Sequence, residues 1–167
     1  MVPHPGDSEE MTDRLRRHVD RLAGLIGSRH TGRPSSLNAA ASLIERELSQ
    51  SGHVVERQPY RIDELEVANL VAEMPGKSPS AGIVVLGAHY DTVDTTPGAD
   101  DNASAVAVML EVARILRGRQ FRRTIRFVAF TCEEPPYFHL CDMGSQVYAR
   151  ACRERGEHIA GMICLEM

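Results

Sequence analysis

The feature that most restricts the fold of this chain is residues 83–88, Ile-Val-Val-Leu-Gly-Ala, which are apolar without interruption. A strand with one wet face alternates apolar and polar residues. A continuous apolar run implies burial on both faces, as in a parallel sheet covered by helices. Two further runs are mostly apolar and read as the next strands, Thr124–Thr131 (TIRFVAFT, interrupted by Arg126) and Ile159–Leu165 (IAGMICL). Between the first and second, Ala105, Val106, Met109, Leu110, Val112 and Ala113 make a helix apolar on most sides, capped by Asn102 and running to about Leu116. Between the second and third lies a helix over Gly144–Arg155, ended by Gly156. Strand–helix–strand–helix–strand order from residue 83 predicts a parallel α/β sheet with right-handed crossovers.

The first 82 residues read differently. Leu15, Val19, Leu22, Leu25 and Ile26 recur at helical steps, predicting a helix opened near Ser8 by Glu9 and Glu10 and closed by Gly27. Leu37, Ala40, Ala41, Ile44 and Leu48 mark a second helix that stops at Gly52. Val54–Tyr60 and Leu65–Met74 read as a hairpin, with Pro59 placing the first strand at a sheet edge. Residues 1–82 and 83–167 are expected to be two parts of one domain, since 167 residues fall within the usual ~100–200 per domain.

Composition narrows the possible partners. With 43% hydrophobic and 25% charged residues, the chain has the balance of a folded domain. Its 19 Lys+Arg against 23 Asp+Glu give a net charge of −4, which argues against nucleic acid as a partner. No apolar run approaches the ~18 residues that span a membrane. Residues 1–10 are polar and lack a signal-peptide pattern, so the expected location is cytoplasmic. Cys132, Cys141, Cys152 and Cys164 form no C-x-x-C pair and are expected to be free thiols. The oligomeric state is left open.

Each of the three apolar strands ends in groups that bind metal ions. The first reaches His89-Tyr90-Asp91 and then Asp100-Asp101-Asn102, the second reaches Glu133-Glu134, and the third reaches Glu166. Ligands of open α/β sheets bind beyond the carboxyl ends of the strands, so one edge should gather these side chains. His89 and Asp91, two apart in extended chain, point the same way, and a carboxylate can fix an imidazole that ligates metal. Taken alone they read slightly better as a turn-stabilising pair. Asp100-Asp101 exceeds what a helix cap needs, and a cation would relieve their repulsion. Glu133 and Glu134 point in different directions, so one can hold metal and the other a water, although an isolated Glu-Glu pair is more often a solvated turn.

HYDTV (89–93), GADDNASAV (98–106), VAFTCEE (128–134), GSQVYAR (144–150) and GMICLEM (161–167) together resemble the co-catalytic zinc aminopeptidases of the leucyl aminopeptidase and glutaminyl cyclase type. The resemblance covers residues 83–167, and more loosely the N-terminal helices and hairpin. It implies a three-layer α/β sandwich whose mixed, mostly parallel sheet is flanked by helices, truncated here at the C-terminus. It further implies that His89 binds one zinc, Asp91 orients His89, Asp101 bridges two zinc ions, Glu134 binds the second, and Glu133 is the general base. Glu166 takes the place of an acid that is usually Asp. The family's fifth ligand, a histidine farther along, has no counterpart before Met167. His139 and His158 stand in the wrong context, and His4, His18, His30 and His53 read as ordinary surface or loop residues. Two zinc ions are therefore expected per complete domain and one tight site in this chain, with a peptide bearing a free N-terminus as substrate and weak or no activity from the chain alone. A glutaminyl cyclase-like acyltransferase and a non-catalytic truncated binding domain are the alternatives.

Overall fold

A computed structural model describes residues 5–140 and 142–167, so the readings for His4 and Cys141 lie outside the described residues. Helix α1, Pro5–Val19, runs on through a wider turn at Asp20–Ile26 and ends at Gly27. Helix α2, Pro34–Gln50, starts on a proline whose missing N–H is no loss in a first turn. Strands β1 (Val55–Ile62) and β2 (Leu65–Met74) form the expected hairpin. Strand β3 (Ile83–His89), helix α3 (Ala105–Leu116), strand β4 (Thr124–Phe130), helix α4 (Gly144–Glu154) and strand β5 (Ile159–Cys164) follow.

The sheet order is β1-β2-β4-β3-β5. β3 is parallel to both β4 and β5, whereas β2 is antiparallel to β1 and β4, so β2 alone runs against the rest. Pro59 does sit on the edge strand, opposite Ala68, where its missing N–H breaks no ladder on the open side. On one face Leu22, Leu37, Ile44, Leu48 and Met109 pack with Leu86 and Phe127 of the sheet. On the other, Tyr148 and Cys152 of α4 pack on Val85, Val128 and Phe130. Successive residues of β3 and β4 thus enter opposite cores, which is why neither strand alternates with polar residues.

Three readings need correction. Asn102 does not cap α3: the helix begins at Ala105, and Asp101 and Asn102 take non-helical backbone angles. The Asn102 side chain is buried, and its Nδ2 donates to Leu165 O at 3.1 Å, so it is committed to the end of β5. β5 is not a buried strand, because it pairs only with β3 among the described strands, and Met162 and Ile163 are 46% and 56% exposed. It is instead an apolar strand at the end of the sheet, open on one side among the described strands. His18 is no surface or loop residue; it is buried on α1, with Nε2 3.5 Å from the Glu111 carboxylate. Cys132, Cys152 and Cys164 are free thiols as expected.

Candidate metal centre

Because β3, β4 and β5 are parallel, their carboxyl ends share one edge, with His89 level with Phe130 and Gly87 level with Cys164. Residues that follow these strands are thereby delivered to one place. His89 is buried, and its Nε2 lies 2.9 Å from Asp101 Oδ1, 3.2 Å from Glu166 Oε1 and 3.9 Å from Glu133 Oε2. Two sets of side chains present ligand atoms within 4.8 Å of one another, His89 with Asp101 and Glu166, and His89 with Glu133 and Glu134. All six residues singled out in the sequence meet at this edge, and Asp91 lies behind His89 with its Oδ1 3.5 Å from Nδ1.

Asp91 does more than face the histidine. It is buried, and its Oδ1 and Oδ2 accept the backbone N–H groups of Glu133 at 3.2 Å and Glu134 at 3.1 Å. Charge-assisted bonds of this kind are about twice as strong as neutral ones. One carboxylate therefore ties the residues after β3 to those after β4. A second tie is Asn69 of β2, fully buried, whose Oδ1 accepts Thr131 N–H at 3.2 Å and whose Nδ2 donates to Gly144 O at 2.8 Å. It closes the base of the excursion that carries Glu133 and Glu134. A Cβ at Gly144 would collide with Asn69 Oδ1 and the Thr131 carbonyl, so this close approach requires glycine.

The electrostatics follow from crowding. Burial opposes a charged His89 ring, but the Asp91, Glu166 and Glu133 carboxylates outweigh it and hold the group up at about 9. Burial, helped by Glu166, Asp91 and Glu134, pushes the Glu133 carboxyl up to about 7. Burial and then Asp101 raise Glu134 as well. A single imidazole nitrogen holds one proton, yet His89 Nε2 faces three carboxylates, while the buried Nδ1 makes no well-formed hydrogen bond. One nitrogen among several carboxylate oxygens, with excess negative charge, is a donor set that fits a divalent cation such as zinc.

A cavity of about 390 Å³ opens beside Glu134, lined by His30, Thr31, Val93, Cys132, Pro135 and Tyr137 among others. His30 is thus a wall of the site, which its place in a polar loop did not signal. Three further contributions went unread in the sequence: the Asp91 bonds to the two glutamate amides, the Asn102 bond to the end of β5, and Arg29, buried beneath the loop after β3. None leaves a periodic or motif signal, since each depends on which loop lies next to which.

Residues 69–167 match the sequence profile of peptidase family M28. The chain belongs to that family. It is 36% identical over 164 residues to the uncharacterized protein YfbL of Escherichia coli (strain K12), a match covering 93% of this chain and 49% of YfbL. A shorter stretch of 52 residues is 52% identical to aminopeptidase YwaD of Bacillus subtilis (strain 168), covering 31% of this chain and 11% of that protein. Among solved structures, a glutaminyl cyclase of Porphyromonas gingivalis superposes with a TM-score of 0.78 at 28% identity, covering 93% of this chain and 58% of the cyclase. The M28 chain described here thus spans about half the length of YfbL. None of its described helices is long and apolar enough to cross a membrane.

Proposed function

We propose that this M28 chain carries the metal-binding core of a zinc-dependent aminopeptidase. The observation that carries the reading is the convergence on His89 Nε2 of Asp101, Glu166 and Glu133 from three separate loops. His89, Asp101 and Glu166 would hold one zinc, with Asp101 shared toward a second ion at Glu134. When bound, the metal supplies a Lewis acid that makes water a nucleophile near neutral pH and polarises a carbonyl. Glu133, raised toward neutrality by burial, accepts the proton of the attacking water and returns it to the leaving amine. Asp91 keeps Glu133 and Glu134 in place through their amides. The surplus of carboxylates favours a substrate with a free α-ammonium group, which restricts cleavage to the first peptide bond. The second ion would have only Asp101 and Glu134 among the described residues, fewer than the three protein ligands of a usual catalytic zinc site, so one tight zinc is expected.

The likeness to the Porphyromonas gingivalis glutaminyl cyclase favours a second reading, an acyltransferase that cyclises N-terminal glutamine. Parallel assays of the native polypeptide on aminoacyl-nitroanilides and on peptides with N-terminal Gln separate the two. Release of nitroaniline supports the aminopeptidase. Loss of ammonia from the Gln peptides without nitroaniline release supports the cyclase, and no turnover of either, with zinc bound, contradicts both.

A further inference from the structure

Arg29 is fully buried, between the turn that ends α1 and the loop that follows β3. Its guanidinium is satisfied by main-chain carbonyls. Nε donates to Tyr90 O at 2.6 Å, Nη1 to Pro97 O at 2.6 Å and Gly27 O at 3.2 Å, and Nη2 to Gly98 O at 2.9 Å. A longer contact joins Nη1 to Leu22 O at 3.4 Å. The Arg29 backbone is docked too, its N–H donating to Thr92 Oγ1 at 3.0 Å and its carbonyl accepting Thr92 N–H at 3.0 Å. The other buried arginine, Arg126, instead meets the Glu73 and Glu157 carboxylates.

The position of these carbonyls is what matters. Tyr90 directly follows His89 and precedes Asp91, while Pro97 and Gly98 lie just before Asp101. One rigid, planar cation therefore grips both ends of the excursion that separates the histidine from the Asp101 carboxylate. Gly98 takes a left-handed φ of 60°, and a Cβ there would run into Thr92 and the Asp101 carbonyl, so the loop is closed tightly on the guanidinium. A buried charge without a carboxylate partner is expensive unless it is well hydrogen-bonded. Each of the three Arg29 guanidinium nitrogens donates to a carbonyl of residues 90–98, and does so only while that segment keeps this shape. The negative charges that act on it are those of Asp91 and Asp101, on the site side of the loop.

We infer that Arg29 is a positioning residue for the metal site, its carbonyl clasp on Tyr90, Pro97 and Gly98 setting the separation of His89 and Asp101. The inference rests on the metal-site reading above and adds a residue that touches neither metal nor substrate. Lysine preserves the charge but not the fork, because an ammonium group has three donors and no fixed plane.

The test compares the parent chain with Arg29→Lys and Thr92→Val, the latter removing the hydroxyl that receives Arg29 N–H and donates to Val93 O. Zinc affinity is measured by competition with a chromophoric chelator, the visible spectrum of the cobalt(II)-loaded chain is recorded, and urea midpoints establish folding. Arg29→Lys should bind zinc ~10–100-fold more weakly, the range for residues that orient ligands, and should shift the cobalt bands. Thr92→Val should show a smaller loss of the same kind, and it carries the test if Arg29→Lys does not fold. Lower urea midpoints with unchanged zinc affinity and cobalt spectrum would make Arg29 merely structural and overturn the inference. Absence of zinc binding by the parent chain would overturn the site reading and this inference with it.

Discussion

Replacing Asp91 by Asn separates two roles that one carboxylate combines. The substitution keeps the shape and leaves one carbonyl oxygen and one NH₂ facing the Glu133 and Glu134 amides. One bond falls from charge-assisted to neutral, a loss of about 1 kcal/mol, and the other becomes donor against donor, leaving a buried N–H unsatisfied at a cost of about 1–3 kcal/mol. Removing the charge also ends repulsion with Glu133 and Glu134 and attraction to His89 and Arg29, contributions of opposite sign. The net expectation is ~2–4 kcal/mol lost from the metal-free chain. With a urea m-value of about 2 kcal/mol/M, the midpoint should fall by ~1–2 M at unchanged slope. Far-UV circular dichroism in urea reads this directly, and a chelator competition on the folded variant should show zinc bound ~10–100-fold more weakly. An unchanged or raised midpoint alongside weaker zinc binding would mean that Asp91 acts through His89 alone and that the two amide bonds carry no weight.

Other outcomes follow from the same geometry. Glu133→Gln should retain zinc while an active native polypeptide loses ~10²–10⁴-fold in rate; loss of the metal instead would exchange the roles of Glu133 and Glu134. His89, held up at about 9, and Glu133, at about 7, both bind protons more tightly folded than unfolded. Their stabilisation is present at low pH and is lost as pH rises through those values, against an opposite effect of His18, which burial lowers below its ordinary value. The metal-free chain should therefore melt at lower temperature at pH 9 than at pH 5, and a flat or rising profile by calorimetry would refute the crowded-carboxylate account. The open apolar edge of β5 should make the chain associate as concentration rises, and Ile163→Lys should suppress it; a parent chain that sediments as monomer at every concentration would contradict this.

The sequence carried the scaffold in its patterning. The uninterrupted run at 83–88 announced a strand between two cores, and Val85 and Leu86 do enter opposite ones. Parallel order from residue 83 then forced the ends of β3, β4 and β5 to one edge, so His89, Glu133, Glu134 and Glu166 could be gathered before any coordinates. What stayed hidden was the contact between loops. Asn102 has the composition of a helix cap, and only the proximity of Leu165 shows that its amide is used elsewhere. Arg29 sits in a short polar loop with no period to mark it, and its burial depends on carbonyls about sixty residues away. His18 looked like an ordinary surface or loop residue because its partner, Glu111, lies on α3. Local patterns report burial and period, but they do not report which distant carbonyl completes a donor's geometry.

The central claim is that His89, Asp101 and Glu166 form a metal site on this chain, and zinc-edge X-ray absorption on protein titrated with zinc tests it most directly. One tight equivalent per chain is predicted, with one imidazole nitrogen and otherwise oxygen scatterers, all lost in His89→Ala. A sulfur scatterer from Cys132 or Cys164, or tight zinc that survives His89→Ala, would contradict it.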